Sequence, residues 1–368
     1  MEFKDLKALA VAAMSAEKHA PVAYSCNIDG KAENFSSSEL NKALRSEFNK
    51  LTGYVEGQGM CWADYRENKN TIFRLIEETI DEVLPPRVEQ QYMQFADTVT
   101  IAQGDTAIFK LKVTEASKRR AKTFVTRVGL AGRYQTFQLE GAQLEVKTGA
   151  IGAAARIGLE EFLDGRWEFS EFTSLMLEAL DEFIYIEVIK ALGSMVNSLP
   201  KYNKATAAGF DESTMDELLS IVDVYGKATI YCTQQFANKM IPSDARMSDN
   251  MKDTLWEKGW LGSYKGHNVI ILDQSLLYGT DEINSVYAVD PSTAYLIPTG
   301  SEKPVKIVFE GQTQVHELEH SDDWSRDIQT YTKVGVGTVA ALGGVTWIGA
   351  YKDSALSTDT RPSGNFSA

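Results

Sequence analysis

Apolar residues recur at helical spacing through much of the first 97 residues, and then the pattern switches to alternation. The opening run reads as a small amphipathic helix. Ser36-Ser37-Ser38 precede Leu40, Ala43, Leu44, Glu47 and Phe48, and Gly53 follows, which supplies an N-cap, a face and a stop. Another helix is predicted from about Arg66 to Leu84 on Ile72, Leu75, Ile76, Thr79, Ile80 and Val83, with Pro85-Pro86 ending it. From Phe95 the period becomes two: Phe95, Val99 and Ile101 lead to a Gln103-Gly104-Asp105 turn, and Phe109, Leu111 and Val113 alternate beyond it, which predicts a hairpin. The stretch that follows, through Lys118, Phe124, Arg133, Phe137 and Lys147, is β-prone, basic and poor in large aliphatics.

The longest periodic element runs from about Ser170 to Leu199, where Phe172, Leu175, Met176, Ala179, Leu180, Phe183, Ile184, Val188, Ala191, Leu192 and Met195 keep helical spacing and Pro200 closes it. At 1.5 Å per residue this is a rod of roughly 45 Å. Glu182 and Glu187 interrupt any heptad, so it is expected to lie on a sheet rather than in a coiled coil. Residues 205–300 read as a compact α/β unit in the order helix, strand, helix, helix, strand, the strands being Ala228 to Cys232 and Val269 to Leu272. An alternating segment from Val305 to His320, an Asp322-Asp323 turn and a strand from Ile328 to Val336 complete the pattern. Val334 to Tyr351 carries no charge, yet five glycines and two threonines interrupt it, so two buried strands or a bent one are expected rather than a membrane helix.

Length and charge add to this picture. A chain of 368 residues exceeds one ordinary domain. Its formal net charge of −14 repels phosphate backbones and argues against a dedicated nucleic-acid binder. That charge is unevenly spread: residues 98–158 hold ten Lys/Arg and four Asp/Glu, leaving +6 there and −20 elsewhere. Such a basic, thinly apolar stretch is either a solvated loop or an arm laid on an acidic neighbouring subunit. Cys26, Cys61 and Cys232 are odd in number and form no CxxC pair, which fits a reducing compartment. Glu2 and Asp5 stand where an export signal would be basic. From Ser354 the composition is that of a flexible or draped tail.

The most tempting match to an active-site motif is His316-Glu317-Leu318-Glu319-His320, the HExxH of zinc peptidases, with His316, Glu317 and His320 in the motif positions. It works only on a helix, where residues four apart share a face. Here it continues an alternating segment, which would place the two histidines roughly 13 Å apart along a strand. No Glu or His follows to complete a ligand set. Gly335-Val336-Gly337-Thr338-Val339-Ala340 mimics a dinucleotide turn, but too little chain follows for the helix and strand it needs. No P-loop or nucleophile elbow is present. Cys232 ends an apolar strand and reads as a core residue. No catalytic residue, cofactor or metal is therefore expected.

The order of elements carries more information than any of these motifs. A helical arm, a basic β-hairpin, a long rod helix, a small α/β unit, a long strand, an acidic turn and a buried final strand follow one another. Local matches accompany that order at Gly165-Arg166-Trp167, at Gly259 to Leu272 with Trp260, Gly262 and Gly266, at Lys303 to Val308 and at Val334 to Lys352. Together they resemble the major capsid proteins of tailed bacteriophages with the Hong Kong 97-type fold. The resemblance implies an α+β fold divided into an N-terminal arm (1–97), an extended β-hairpin loop (98–158), a peripheral domain with a spine helix (159–204 and 303–340), an axial α/β domain (205–302 and 341–352) and a tail (353–368). It also implies a structural protein without enzymatic activity, which assembles with many copies of itself as hexamers and pentamers into a virion shell built in the host cytoplasm. Portal, and scaffold or decoration proteins, would be further partners, and double-stranded DNA would be enclosed without sequence-specific binding or any membrane. Under the same resemblance Lys118, Arg119, Arg120, Lys122, Arg127 and Arg133 become candidate intersubunit contacts, and Trp260, Gly262 and Gly266 an axial-domain motif. An encapsulin-like compartment shares the fold and is the alternative; a zinc peptidase is a distant third.

Overall fold

The computed structural model describes residues 3–16, 24–28, 31–35, 37–55, 59–111, 141–157, 169–241, 248–274, 287–300, 302–319, 326–339 and 345–356. Helices and strands are mixed, as an α+β chain requires. Two compact units share the chain: residues 1–107, 147–185 and 307–335 form one, and residues 108–146, 186–306 and 336–368 form the other.

In the first unit three helices, α1 (Phe3–Ala16), α2 (Ser37–Thr52) and α3 (Trp62–Tyr92), pack on one another. Buried among them are Leu9 and Ala13 of α1 and Leu40, Leu44 and Phe48 of α2, and α3 carries a buried stripe at every fourth residue, Ile72, Ile76, Ile80, Leu84, Val88 and Tyr92, which ends with the Tyr92 ring stacked on Tyr185. That stripe corrects the predicted stop, because Pro85 and Pro86 lie inside α3. Each internal proline costs about 3 kcal/mol. Burial of Val88 and Tyr92 beyond the expected end, at about 1.5–3 kcal/mol for each such side chain, offsets a cost of that order. A two-stranded antiparallel sheet, β1 (Tyr24–Ile28) with β2 (Lys31–Phe35), was not predicted. Its strands are short and lack strict alternation, although the intervening Asp29-Gly30 is a hairpin dipeptide.

The hairpin expected from Phe95 to Val113 is also corrected. β3 (Ala96–Ile101) and β4 (Ala107–Leu111) join different sheets: β4 pairs with β5 (Ala142–Val146), whereas β3 is the edge of a four-stranded sheet in the order β3-β12-β13-β6. The turn itself forms, with Gly104 at φ +86° and the Asp105 N–H donating to the Ala102 carbonyl. It hands the chain from one sheet to the next, because alternation specifies a strand but not its partner. β6 (Gly149–Ile157) is antiparallel to β13 (Arg326–Thr338), in register from Val334 opposite Gly149 to Arg326 opposite Ile157. Close approach fixes two of the glycines here: a Cβ on Gly152 would lie 2.5 Å from the Thr330 carbonyl oxygen, and one on Gly335 2.5 Å from that of Lys147. β12 (Val305–Glu319) is the long alternating segment, and α4 (Phe169–Ser198) is the long rod.

The second unit is built on a six-stranded mixed sheet in the order β7-β14-β11-β8-β10-β9. β8 (Ala228–Cys232) runs parallel to β10 (His267–Ile271) and antiparallel to β11 (Thr293–Pro298), which pairs in turn with β14 (Gly349–Asp353). β14 is parallel to β7 (Lys204–Ala207), and β9 (Ser263–Tyr264) forms a tight hairpin with β10. The uncharged stretch therefore divides into the end of β13 and the separate strand β14. β11 escaped prediction because it is buried at every position and so shows no period. Helix α5 (Glu212–Asp223) covers the sheet with Met215, Leu218, Leu219 and Val222, its first turn capped by Asp211, which accepts the Thr214 N–H. Cys232 is a core residue of this unit, and burial pushes its thiol up to about 12. Helix α6 (Asp249–Lys258) ends on Gly259 in the left-handed conformation, φ +78°. No helix among the described residues is long and apolar enough to cross a membrane.

Candidate assembly surfaces

His316 and Glu317 are on β12, as alternation predicts, and His320 lies outside the described residues. Glu317 is buried, pairs with Lys69 of α3 and accepts a hydrogen bond from the Tyr65 hydroxyl at 3.4 Å. It is a tether between helix and strand. Among the described residues no group of three His, Cys, Asp or Glu could hold a metal ion.

Two further α3 carboxylates hold β12 by its main chain. Asp81 accepts the Thr313 N–H at 2.9 Å and Glu77 accepts the Val315 N–H at 2.7 Å. Residues two apart present their N–H groups on the same side of a strand, so one face of α3 serves both. Burial pushes the Asp81 carboxyl above the usual aspartate value, and the Thr313 hydrogen bonds oppose that shift only in part. Glu310, further back on β12, gathers the Thr148 hydroxyl, the Gly104 N–H at 2.9 Å and Lys333 Nζ at 2.9 Å. These donors hold its carboxyl down at about 2, the Thr148 hydroxyl contributing most. Glu310 thus ties the 103–105 turn, β12 and β13 together. No linear feature of the sequence marks these partners, which are separated by as many as 238 positions.

Two exposed surfaces among the described residues bear on assembly. Along the part of α4 in the first unit, Leu175, Ala179 and Phe183 share a face at a spacing of four, with Glu171 and Glu178 beside them. Leu175 is 52% and Phe183 43% exposed, and Glu171 is already paired with Arg45 of α2 at 2.8 Å, so this is a face of apolar anchors with Glu178 beside them. The other surface surrounds the motif at 259–272. Trp260 packs against the core of the second unit, whereas Gly262 has open space where a Cβ would stand. Gly266, at φ +89°, follows Lys265 at φ +46° in the two-residue β9–β10 turn, and positive φ at Gly266 is what its glycine serves. Lys265 Nζ bridges Asp216 at 2.5 Å and Glu212 at 2.6 Å, which fixes the turn on α5 and raises the lysine pKa. The six basic candidates Lys118, Arg119, Arg120, Lys122, Arg127 and Arg133, and the Gly165-Arg166-Trp167 match, lie outside the described residues.

The first unit is tethered internally by these carboxylates, and the second by its six-stranded sheet and the helix that covers it. The profile of the family described as "SPbeta prophage-derived putative capsid protein YonB" matches residues 24–342, and the chain belongs to that family of phage capsid proteins. Among solved structures, it is similar to the bacteriophage PhiM1 mature capsid at 11% identity and a TM-score of 0.47, covering 72% of this chain and 87% of that one. A capsid structure of the cyanophage P-SCSP1u gives 9% identity and 0.47, covering 72% and 88%. A virus-like particle from Pyrococcus furiosus gives 10% and 0.44, covering 76% and 99%. No curated protein matches the sequence.

Proposed function

We propose that the chain is the major capsid protein of a tailed bacteriophage, with the Hong Kong 97-type division into arm, loop, peripheral and axial parts, which assembles into an icosahedral head shell around double-stranded DNA. The observation that carries this reading is the capsid-family match, which extends over most of both units. The charge distribution supports it. An overall charge of −14 lets packaged DNA slide past a like-charged wall, while residues 98–158, at +6, suit contact with an acidic neighbour. The α4 face of Leu175, Glu178 and Phe183 offers one such surface, with Glu171 beside it paired to Arg45. In this reading Lys118, Arg119, Arg120, Lys122, Arg127 and Arg133 meet that face on an adjacent copy, hexamers and pentamers form the shell, and a portal with scaffold or decoration proteins completes the virion assembled in the host cytoplasm.

Negative-stain microscopy of the expressed, purified chain tests it. Closed shells that loosen as salt rises are the expected result, because exposed ion pairs are screened beyond about 8–10 Å at physiological ionic strength. A monodisperse monomer at high concentration and low salt overturns the reading. Shells that enclose an enzyme bound through a cargo peptide would replace the phage head with an encapsulin-like compartment.

A further inference from the structure

A lysine is buried where an aliphatic side chain would pack as well. Lys306 is 2% exposed and stands in a run, Val305 to Phe309, in which every residue is buried. Its Nζ lies 2.5 Å from Glu302 Oε1 and 5.4 Å from the Phe109 ring centroid. Taking an ammonium out of water is costly, and a well-packed apolar side chain in place of a buried ion pair is often neutral or stabilising. Stability alone therefore does not explain this charge. What a charge adds is direction: an apolar neighbour accepts a ring by its edge or its face, whereas an ammonium within about 6 Å favours the face.

The ring so held belongs to β4, a strand whose one partner among the described residues is β5. A two-stranded sheet is marginal by itself, so its orientation needs an anchor. Ala107 is buried while Ile108 and Lys110 are exposed, which puts half-buried Phe109 on the covered side with Ala107. On β5 the covered residues are Leu144 and Val146. These two strands bound residues 112–141, the stretch that carries the six basic candidates. Lys306, Glu302 and Phe109 all belong to the second unit.

Resting on the shell reading above, we propose that Lys306 is a positioning residue for assembly: its ammonium, oriented by Glu302, seats the face of the Phe109 ring and so fixes the β4–β5 stem of the basic loop. The lysine touches no neighbouring copy in this account. It acts through Phe109, and its charge sets which way the stem is held rather than how firmly the unit is folded.

Variants of the full chain test this. Lys306→Met with Glu302→Gln replaces the pair by uncharged side chains of similar length, so the denaturant midpoint of the unassembled chain should be unchanged or higher. Amide exchange in the 107–111 peptide should nevertheless be about 2- to 30-fold faster, as the loss of a cation–π contact implies, and the fraction of closed shells of one diameter, counted by negative-stain microscopy, should fall. A residue with a packing role alone would instead lower the midpoint and the shell yield together. Phe109→Leu keeps an apolar side chain on β4 and removes the ring face, so it tests the same contact if the double variant does not fold. It should speed β4 exchange and reduce uniform shells, whereas Phe109→Tyr, which keeps the ring, should match the wild type in both. Wild-type exchange or wild-type shells in Phe109→Leu, or equal losses in Phe109→Leu and Phe109→Tyr, overturn the inference and leave the shell reading standing. Absence of particles from the wild-type chain at any concentration overturns the shell reading and the assembly role of Lys306 with it.

Discussion

Asp81 separates two contributions that buried carboxylates usually confound. Its Oδ1 accepts the Thr313 N–H at 2.9 Å, and Thr313 is 4% exposed, so the amide has no water to turn to if the acceptor is removed. Asp81→Ala should therefore cost the desolvation of an unsatisfied N–H, about 1–3 kcal/mol. Asp81→Asn keeps an oxygen acceptor and removes the charge that burial penalises, so at neutral pH it should be close to neutral or slightly stabilising. The pH dependence has a definite sign. A carboxyl whose folded pKa is raised contributes stability at low pH that is lost as pH rises through the folded value. The Asn variant, which does not titrate, should thus gain on the wild type as pH rises from about 3.9, the unfolded aspartate value, through the raised folded value. Amide hydrogen exchange of the β12 peptide around Thr313, measured on unassembled protein, reads this locally. Where exchange reports the opening equilibrium, 1–3 kcal/mol is roughly 5- to 150-fold faster exchange in Asp81→Ala, with Asp81→Asn within about a factor of two of the wild type. Unchanged exchange in the Ala variant, or equal losses in both variants, would refute the view that α3 holds the strand through this hydrogen bond.

Glu310 gives the opposite pH sign: with its carboxyl held at about 2, its contribution is complete above the unfolded value near 4.5 and is lost as pH falls from there toward 2, so Glu310→Gln should flatten the acid limb of a stability profile. Glu317→Gln breaks the pair with Lys69; that lysine is 33% exposed at its side chain, so the cost should be about 1–2 kcal/mol in denaturant melts, below the 3–5 of a fully buried pair. A change within 0.3 kcal/mol would show that the tether is idle. Leu296→Ala, at the fully buried centre of the six-stranded sheet, should cost about 2–5 kcal/mol, read from the unfolding of the second unit.

Local pattern already determined much of this protein. The period of four through Ile72, Ile76 and Ile80, the apolar spacing along α4 and the alternation of β12 each reflect one element meeting one buried surface, and that is a property of a few consecutive residues. The same reasoning separated His316 and Glu317 from zinc chemistry, because a strand cannot bring residues four apart onto one metal. The order of elements pointed to a capsid chain before any geometry was known. Tertiary structure decided the rest. Only tertiary packing beyond the prolines, such as Tyr92 on Tyr185 of α4, shows why α3 outlasts Pro85 and Pro86, and only the sheets show that the turn at Gly104 separates β3 from β4 instead of pairing them. The central strand β11, invisible to periodicity because both its faces are covered, and the carboxylates of Glu77, Asp81 and Glu310 belong to the same class. The carboxylates act through partners as many as 238 residues away, and the free energy that fixes such pairs comes from desolvation and hydrogen bonding that exist only once the chain has folded.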